Sequence, residues 1–260
     1  MLEPLQYLLG GLSGALVGFV LGLVGGGGSI LAVPLMVYLV GVPLPHVAIG
    51  TSAFAVAMNA AAGLAQHARV RNVQWRCGGI YAAAGIIGAF GGSTLGKLVD
   101  GEKLLFLFAL VMVVVGVLML RDRNSCGDPG AQCTPQKMPK VLGYGLGSGA
   151  FAGFFGIGGG FLIVPGLIAS TGMPIKLAIG TSLVAVTAFG LATAANYALS
   201  GLIDWPLALV FIAGGIFGSF AGTKLASRLC EKTGLLNSIF AALIFVVAAY
   251  MLWRSASEFL

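Results

Sequence analysis

Ten apolar runs fill most of this 260-residue sequence, and none of them contains an acidic residue. A helix that crosses the hydrocarbon core of a bilayer needs about 20 predominantly apolar residues. Only 8% of the residues are charged, against about 25% in a soluble domain, so this chain cannot cover a water-facing surface. We therefore predict an all-α membrane protein with about ten segments, and exclude a soluble enzyme, a nucleic-acid-binding protein and a disulfide scaffold. The runs are approximately 5–24, 29–41, 47–66, 77–98, 103–120, 141–155, 160–171, 178–198, 206–226 and 234–253.

The first five runs and the last five share one order of glycines, prolines and other marker residues. At an offset of 130 residues, the pentapeptide Ala-Ile-Gly-Thr-Ser at 48–52 recurs at 178–182, and Trp75 matches Trp205. We therefore predict two membrane repeats, 1–120 and 141–260, joined by a polar linker at 121–140. At an offset of 131, Gly22, Gly25, Gly27, Gly28, Pro34, Gly41 and Pro43 match Gly153, Gly156, Gly158, Gly159, Pro165, Gly172 and Pro174.

The basic residues predict that the second repeat is inverted relative to the first. Three arginines lie in 67–76, whereas the equivalent segment 197–206 has no basic residue. Each repeat has three full-length runs plus a broken pair, so its number of crossings is odd whether that pair spans or re-enters. With 67–76, the linker, Lys176 and 224–233 in the cytoplasm, eleven of the 14 basic residues lie inside, as the positive-inside rule requires. We expect a multi-pass inner-membrane protein with both termini outside.

The second run of each repeat is too short to span a bilayer unaided, and each follows a Gly-rich segment. Paired short segments of this kind at matching positions of inverted repeats indicate a transport site. A broken helix needs partners for its backbone groups, and the N–H groups that begin the next half-helix bind oxyanions. We expect the broken helices to meet near the membrane centre; the alternative is that these glycines only permit tight helix crossing. The predicted substrate-binding residues here are Gly25, Gly26, Gly27, Gly28, Ser29, Gly156, Gly158, Gly159 and Gly160.

Two Gly-Thr-Ser tripeptides and the polar residues that follow them are a second group of candidate residues. Their hydroxyl groups can donate to substrate oxygens, or they can cap backbone N–H groups near a helix start. Ser52, Asn59 and Gln66 are seven residues apart and form one polar stripe, which lines a cavity or an interhelical contact. The second repeat keeps Ser182 and Asn196 but has Phe189 at the middle position. The predicted substrate-binding residues here are Thr51, Ser52, Asn59, Gln66, Thr181, Ser182 and Asn196.

A Gly-rich break followed by a proline and then Ala-Ile-Gly-Thr-Ser, present in both halves of a chain of this length, resembles the TauE/SafE-type sulfite exporter family. The resemblance covers nearly the whole chain. It implies a transporter for sulfite, sulfoacetate or related sulfur anions, with the Gly-rich and Gly-Thr-Ser segments nearest the substrate. The unmatched pair Asn59 and Phe189 argues against a symmetric site for two anions.

The apolar runs offer hydrogen-bond donors but no carboxylates, which favours an anion over a cation as substrate. We therefore expect export of a small sulfur-containing anion, sulfite or an organosulfonate such as sulfoacetate, by alternating access. The alternatives are a passive anion channel or a transporter of another small anion. We expect no enzymatic activity, cofactor, metal or nucleic-acid partner. The expected partners are the small anion substrate and the lipid bilayer, and the sequence is compatible with a homo-oligomer.

Overall fold

The computed structural model describes residues 3–121, 134–157, 160–228, 242 and 244–254. All the regular secondary structure in these ranges is helical, as the composition predicts. The polar linker lies between α5 and α6, and its residues 122–133 fall outside the described ranges. The helices are α1 (Pro4–Val24), α2 (Ala32–Pro34), α3 (Pro45–Arg69), α4 (Trp75–Leu98), α5 (Gly101–Arg121), α6 (Met138–Phe155), α7 (Gly160–Thr171), α8 (Ile175–Ala198), α9 (Trp205–Arg228) and α10 (Ile244–Arg254).

Within the described ranges, five helices are long and apolar enough to cross a membrane: α1, α3, α4, α8 and α9. Leucines and phenylalanines on the outer surfaces of these helices are exposed, as expected for contact with lipid chains; examples are Leu12, Leu16, Leu95 and Phe217. The helices α7 and α10 are apolar but shorter. The chain is therefore a multi-pass membrane protein.

The helix is interrupted at both Gly-rich segments. After α1 the chain tightens into a 3₁₀-helix at Gly25–Leu31, passes through α2 and widens into a π-helix at Leu35–Leu39. In the second repeat, α6 ends at Phe155 and Gly156 takes a left-handed conformation with φ +67°. A side chain at Gly156 would also collide with Ile49, so glycine is required there for both its backbone conformation and its size.

Two helix pairs form the sides of the bundle, and both depend on backbone-to-backbone contact. In the pair α1–α9, Gly14 faces the backbone of Phe211 and Gly18 faces that of Gly215. In the pair α4–α6, Gly149 lies against the backbone of Gly85. Small residues at a spacing of four allow membrane helices to approach this closely, which maximises van der Waals contact where hydrophobic driving force is absent.

Helices α3 and α8 cross the centre of the bundle in antiparallel directions. Near one end Gly50 contacts Tyr197, and further along α3 Gly63 faces Leu183. Helix α9 packs on α3 and helix α4 packs on α8. The helix contacts correspond between the two repeats. The pair α1–α9 corresponds to α6–α4, and the pair α3–α9 corresponds to α8–α4.

Candidate functional site

Each Gly-Thr-Ser threonine binds the segment that precedes the fourth helix of the other repeat. The Thr51 hydroxyl oxygen accepts the backbone N–H of Asp204 at 2.9 Å, just before α9. The Thr181 hydroxyl oxygen accepts the backbone N–H of Gln74 at 3.0 Å, just before α4. Asp204 in turn caps α9, because its carboxylate accepts the N–H of Leu207 at 3.0 Å. The threonines therefore join the two repeats through matching bonds at opposite ends of the α3–α8 pair.

The glycine and serine of each tripeptide have separate structural roles. A side chain at Gly50 would collide with the carbonyl oxygen of Leu202, and one at Gly180 with that of Asn72. Glycine thus allows the helix to approach the opposing loop. The Ser52 hydroxyl donates to the carbonyl of Ile49 at 3.0 Å, and Ser182 makes the same bond to Ile179 at 2.7 Å. Both serine hydrogens are used within their own helix.

Asn59 lies midway along α3 with its amide sealed inside the protein. The residue is fully buried, and its side chain lies directly against Gly215 of α9. Neither its nitrogen nor its oxygen has a hydrogen-bond partner among the described residues. A buried amide without a partner is destabilising by roughly 1–3 kcal/mol, and a native protein retains one where a ligand, a water or a function explains it.

The position equivalent to Asn59 in the second repeat is filled by an aromatic side chain. Phe189 lies against Gly85 of α4, as Asn59 lies against Gly215. Its ring stacks on Tyr81 with centroids 6.2 Å apart. The centre of the bundle is therefore polar on the α3–α9 side and aromatic on the α8–α4 side, so the two equivalent positions differ in chemistry.

Gln66 and Asn196 take part in interhelical hydrogen bonds. Gln66 accepts the Thr223 hydroxyl at 2.8 Å, while its side-chain nitrogen is buried without a described partner. The nitrogen of Asn196 donates to Ser93 at 2.6 Å and to Thr94 at 2.9 Å. These hydrogen bonds link α3 to α9 and α8 to α4.

Lys97, near the end of α4, is a polar partner that the sequence analysis missed. Its ammonium group donates to the Asn196 carbonyl at 3.1 Å, the Asn196 side-chain oxygen at 2.8 Å and the Ser200 hydroxyl at 2.9 Å. It also lies 5.8 Å from the centroid of the Tyr197 ring. The sequence does contain a signal: at an offset of 130 the residue equivalent to Lys97 is the uncharged Ser227.

The Gly-rich residues lie where the two short segments meet. The 3₁₀-helix at Gly25–Leu31 contains Gly25, Gly26, Gly27, Gly28 and Ser29 and packs against α7 and α8. Gly28 and Ser29 are buried. Gly160 begins α7, whereas Gly158 and Gly159 lie outside the described residues.

The predicted site residues do not converge on one point. At 1.5 Å per residue, Asn59 lies about 12 Å along α3 from Thr51, and Gln66 lies about 10 Å further on. Thr51 is at the end of the α3–α8 pair where Asn196 lies, and Thr181 is at the end where Gln66 lies. The polar groups therefore form three levels, with Asn59 between two interhelical clusters.

An apolar groove lies elsewhere among the described residues and has a different character. It measures about 610 Å³, lies between α4, α5 and α6, and is lined by apolar residues such as Leu95, Val111 and Phe154. Such a groove suits lipid chains rather than a small anion. As for metals, no group of three or more His, Cys, Asp or Glu residues comes together anywhere in the described ranges.

Comparison with known proteins identifies a family of membrane transporters. The family model described as "Sulfite exporter TauE/SafE" matches residues 10–251. A "Probable membrane transporter protein" of Xylella fastidiosa is 53% identical over 94% of this chain and 94% of its own length. One of Haemophilus influenzae is 32% identical over 92% and 96% of the two chains, and the "Probable membrane transporter protein YdhB" of Bacillus subtilis is 26% identical over 86% and 92%. No solved structure gives a significant match. The chain therefore belongs to the TauE/SafE sulfite exporter family and is a multi-pass membrane transporter.

Proposed function

We propose that this transporter exports a small sulfur-containing anion, sulfite or an organosulfonate such as sulfoacetate, by alternating access between two inverted repeats. The observation that carries the proposal is the buried amide of Asn59, which has no described partner for its nitrogen or its oxygen. An oxyanion at this level accepts hydrogen bonds from the amide nitrogen. Substrate binding then satisfies a group that is costly to leave unpaired.

The electrostatics of the membrane segments also favour an anion. The apolar runs contain no acidic residue that would repel one. Thr51 and Thr181 use their hydroxyl oxygens as acceptors, and no described oxygen accepts their hydrogens. The 3₁₀-helix at Gly25–Leu31 packs against α7 where the two Gly-rich segments meet. The bonded partner of Thr181 is not acidic, whereas Thr51 is bonded to the N–H of Asp204, whose carboxylate caps α9. Thr181 is therefore the more favourable of the two as a donor to an oxyanion.

Alternating access is supported by the antiparallel central pair α3–α8 and by the polar cluster at each of its ends. Gln66 with Thr223 links α3 to α9 at one end, and Asn196 with Ser93 links α8 to α4 at the other. These pairs are equivalent at an offset of 130. Separation of one cluster while the other stays closed would open the Asn59 level to one side of the membrane at a time.

The test is flux into proteoliposomes of sulfite, sulfoacetate, sulfate and thiosulfate, each measured with and without unlabelled anion on the opposite side. We expect saturable flux of a sulfur anion that is accelerated by anion in trans. Asn59→Leu, which keeps the volume but removes the amide, should raise KM about 10- to 100-fold, as expected for loss of a hydrogen bond to a charged group. Phe189→Leu is the matched control at the equivalent position.

Three results would contradict parts of this proposal. Folded wild-type protein that moves none of the four anions would exclude sulfur anions as substrates. Large currents without trans-acceleration would indicate a passive channel. An Asn59→Leu protein with wild-type KM would remove the amide from the binding site.

A further inference from the structure

The ammonium group of Lys97 is held entirely by neutral oxygens. Its three hydrogens point to two oxygens of Asn196 and to the hydroxyl of Ser200. Lys97 is half-buried, Asn196 is buried and Ser200 is exposed. The cluster therefore begins at the protein surface and leads inward between the ends of α4 and α8.

No described carboxylate neutralises this lysine. The acids nearest to it in sequence, Asp100 and Glu102, are exposed. The carboxylate of Asp100 instead accepts the backbone N–H groups of Glu102 and Lys103. Hydrogen bonds to neutral oxygens stabilise an ammonium group but leave its net charge, and a charge in a partly buried crevice attracts ions of opposite sign.

Two further buried polar atoms, on Tyr197 and on its neighbour His46, also lack a described partner. One is the hydroxyl of Tyr197, a fully buried residue whose ring lies under the ammonium group. The other is Nδ1 of His46, whose ring centroid is 6.4 Å from that of Tyr197. The remaining nitrogen of His46 is occupied, because it lies 3.1 Å from the carbonyl oxygen of Val99. An unsatisfied hydroxyl on the ring that lies against an unpaired ammonium group points to a ligand.

We propose that Lys97, Asn196 and Ser200 form a second anion-binding site, in which the ammonium group of Lys97 selects anions by their charge. An anion oxygen replaces the exposed Ser200 hydroxyl on the ammonium group, while Asn196 continues to hold it. The site rests on the proposed function for its ligand, a small oxyanion. It lies at the end of the α3–α8 pair that the basic residues place outside the cell, where an exported anion leaves.

A purely structural role for Lys97 makes a different prediction. Lysine in the last turn of a helix complements the helix dipole, and the bonds to Asn196 and Ser200 fasten α4 to α8. Loss of these interhelical hydrogen bonds weakens the binding of every anion equally. Loss of a charge-selecting group weakens the binding of a dianion more than that of a monoanion, because the Coulomb energy scales with the ligand charge.

The experiment measures calorimetric Kd values of the purified full chain for two anions of the same pyramidal shape. These are sulfite at alkaline pH, which carries two charges, and methanesulfinate, which carries one. In Lys97→Gln we expect the preference for sulfite over methanesulfinate to fall about tenfold, or about 1.4 kcal/mol. Lys97→Arg should keep the preference, and so should Lys103→Gln, which removes an exposed lysine near the same membrane face.

A second variant tests the charge while keeping the bond between Lys97 and the side-chain oxygen of residue 196. Asn196→Asp retains an oxygen acceptor for Lys97 but neutralises the ammonium group, so it should lose the preference for sulfite as Lys97→Gln does. Thermal unfolding of each variant identifies a protein that has failed to fold. If Lys97→Gln fails to fold, the anion preferences of Asn196→Asp and Lys97→Arg decide whether the site exists. Equal weakening of both anions, or an unchanged preference, would overturn the site.

Failure of this site and failure of the proposed function are distinguishable. Wild-type protein that transports sulfur anions while Lys97→Gln and Asn196→Asp retain the sulfite preference refutes the site only. Wild-type protein that binds both anions with the expected charge preference but transports neither refutes the proposed function only. Wild-type protein that neither binds nor transports them refutes both.

Discussion

The tight contact between α4 and α6 predicts opposite effects for one substitution at two adjacent residues. A methyl group at Gly92 would collide with the backbone carbonyl of Ala150 on α6. A methyl group at Gly91 would meet no atom within 4 Å. Gly92→Ala and Gly91→Ala are therefore a matched pair in which only the interhelical contact differs.

The magnitude follows from the kind of atom at the contact. Both substitutions gain about 0.8–1.0 kcal/mol of helix propensity, which cancels in the comparison. The Ala150 carbonyl is backbone and cannot rotate away, so Gly92→Ala must push α4 and α6 apart. Overpacking of this kind costs about 1–3 kcal/mol. The Tm of Gly92→Ala should therefore be lower than that of Gly91→Ala by roughly 3–10 °C in a protein of this size. Gly91→Ala should be neutral or slightly stabilising.

The assay is reversible unfolding of both variants and wild type in mixed micelles, followed by far-UV circular dichroism, with thermal unfolding in detergent as a second measurement. The reasoning about backbone contact is refuted if the two variants have the same stability. It is also refuted if Gly92→Ala is the more stable of the two.

Two further predictions concern hydrogen bonds between the repeats. Thr51→Val removes the acceptor for the Asp204 N–H and should lower the free energy of unfolding by about 1–2 kcal/mol, whereas Thr51→Ser keeps the hydroxyl acceptor and the stability. Unfolding in mixed micelles measures both variants, and equal losses of stability would contradict the role of the hydroxyl. Tyr81→Phe removes the 2.7 Å bond to Ser148 and should cost about 1 kcal/mol. The same change at the exposed Tyr144 should cost nothing measurable, so equal effects would count against that bond.

The sequence predicts the helix bounds well because the bilayer itself limits the length of an apolar segment. The run at 103–120 became α5, Gly101–Arg121, and the run at 178–198 became α8, Ile175–Ala198. The breaks at the Gly-rich segments are also predictable, since each glycine destabilises a helix interior by about 1 kcal/mol relative to alanine and several follow one another there. The 3₁₀ and π winding at Gly25–Leu39 was not predictable, because it depends on how this segment packs against helices distant in sequence.

The candidate site was predicted only in part, because an internal repeat shows which residues are equivalent but not which residues touch. Thr51 was expected to cap a nearby helix start or to bind substrate; its bond to Asp204 crosses 153 residues. Lys97 is one of the 14 basic residues, and from the sequence alone a basic residue near the end of an apolar run is expected to determine membrane orientation. Only the fold brings it to Asn196, 99 residues away.

The crossed threonine bonds have a consequence for how such a chain is synthesised and how it arose. The N–H of Gln74 emerges from the ribosome 107 residues before Thr181, its partner, and Thr51 precedes Asp204 by 153 residues. The N–H of Gln74 therefore has no access to Thr181 until the second repeat has been synthesised, and neither threonine makes this bond within its own repeat. In a half-length chain with one Gly-Thr-Ser motif, the same arrangement of bonds would require a second copy of that chain.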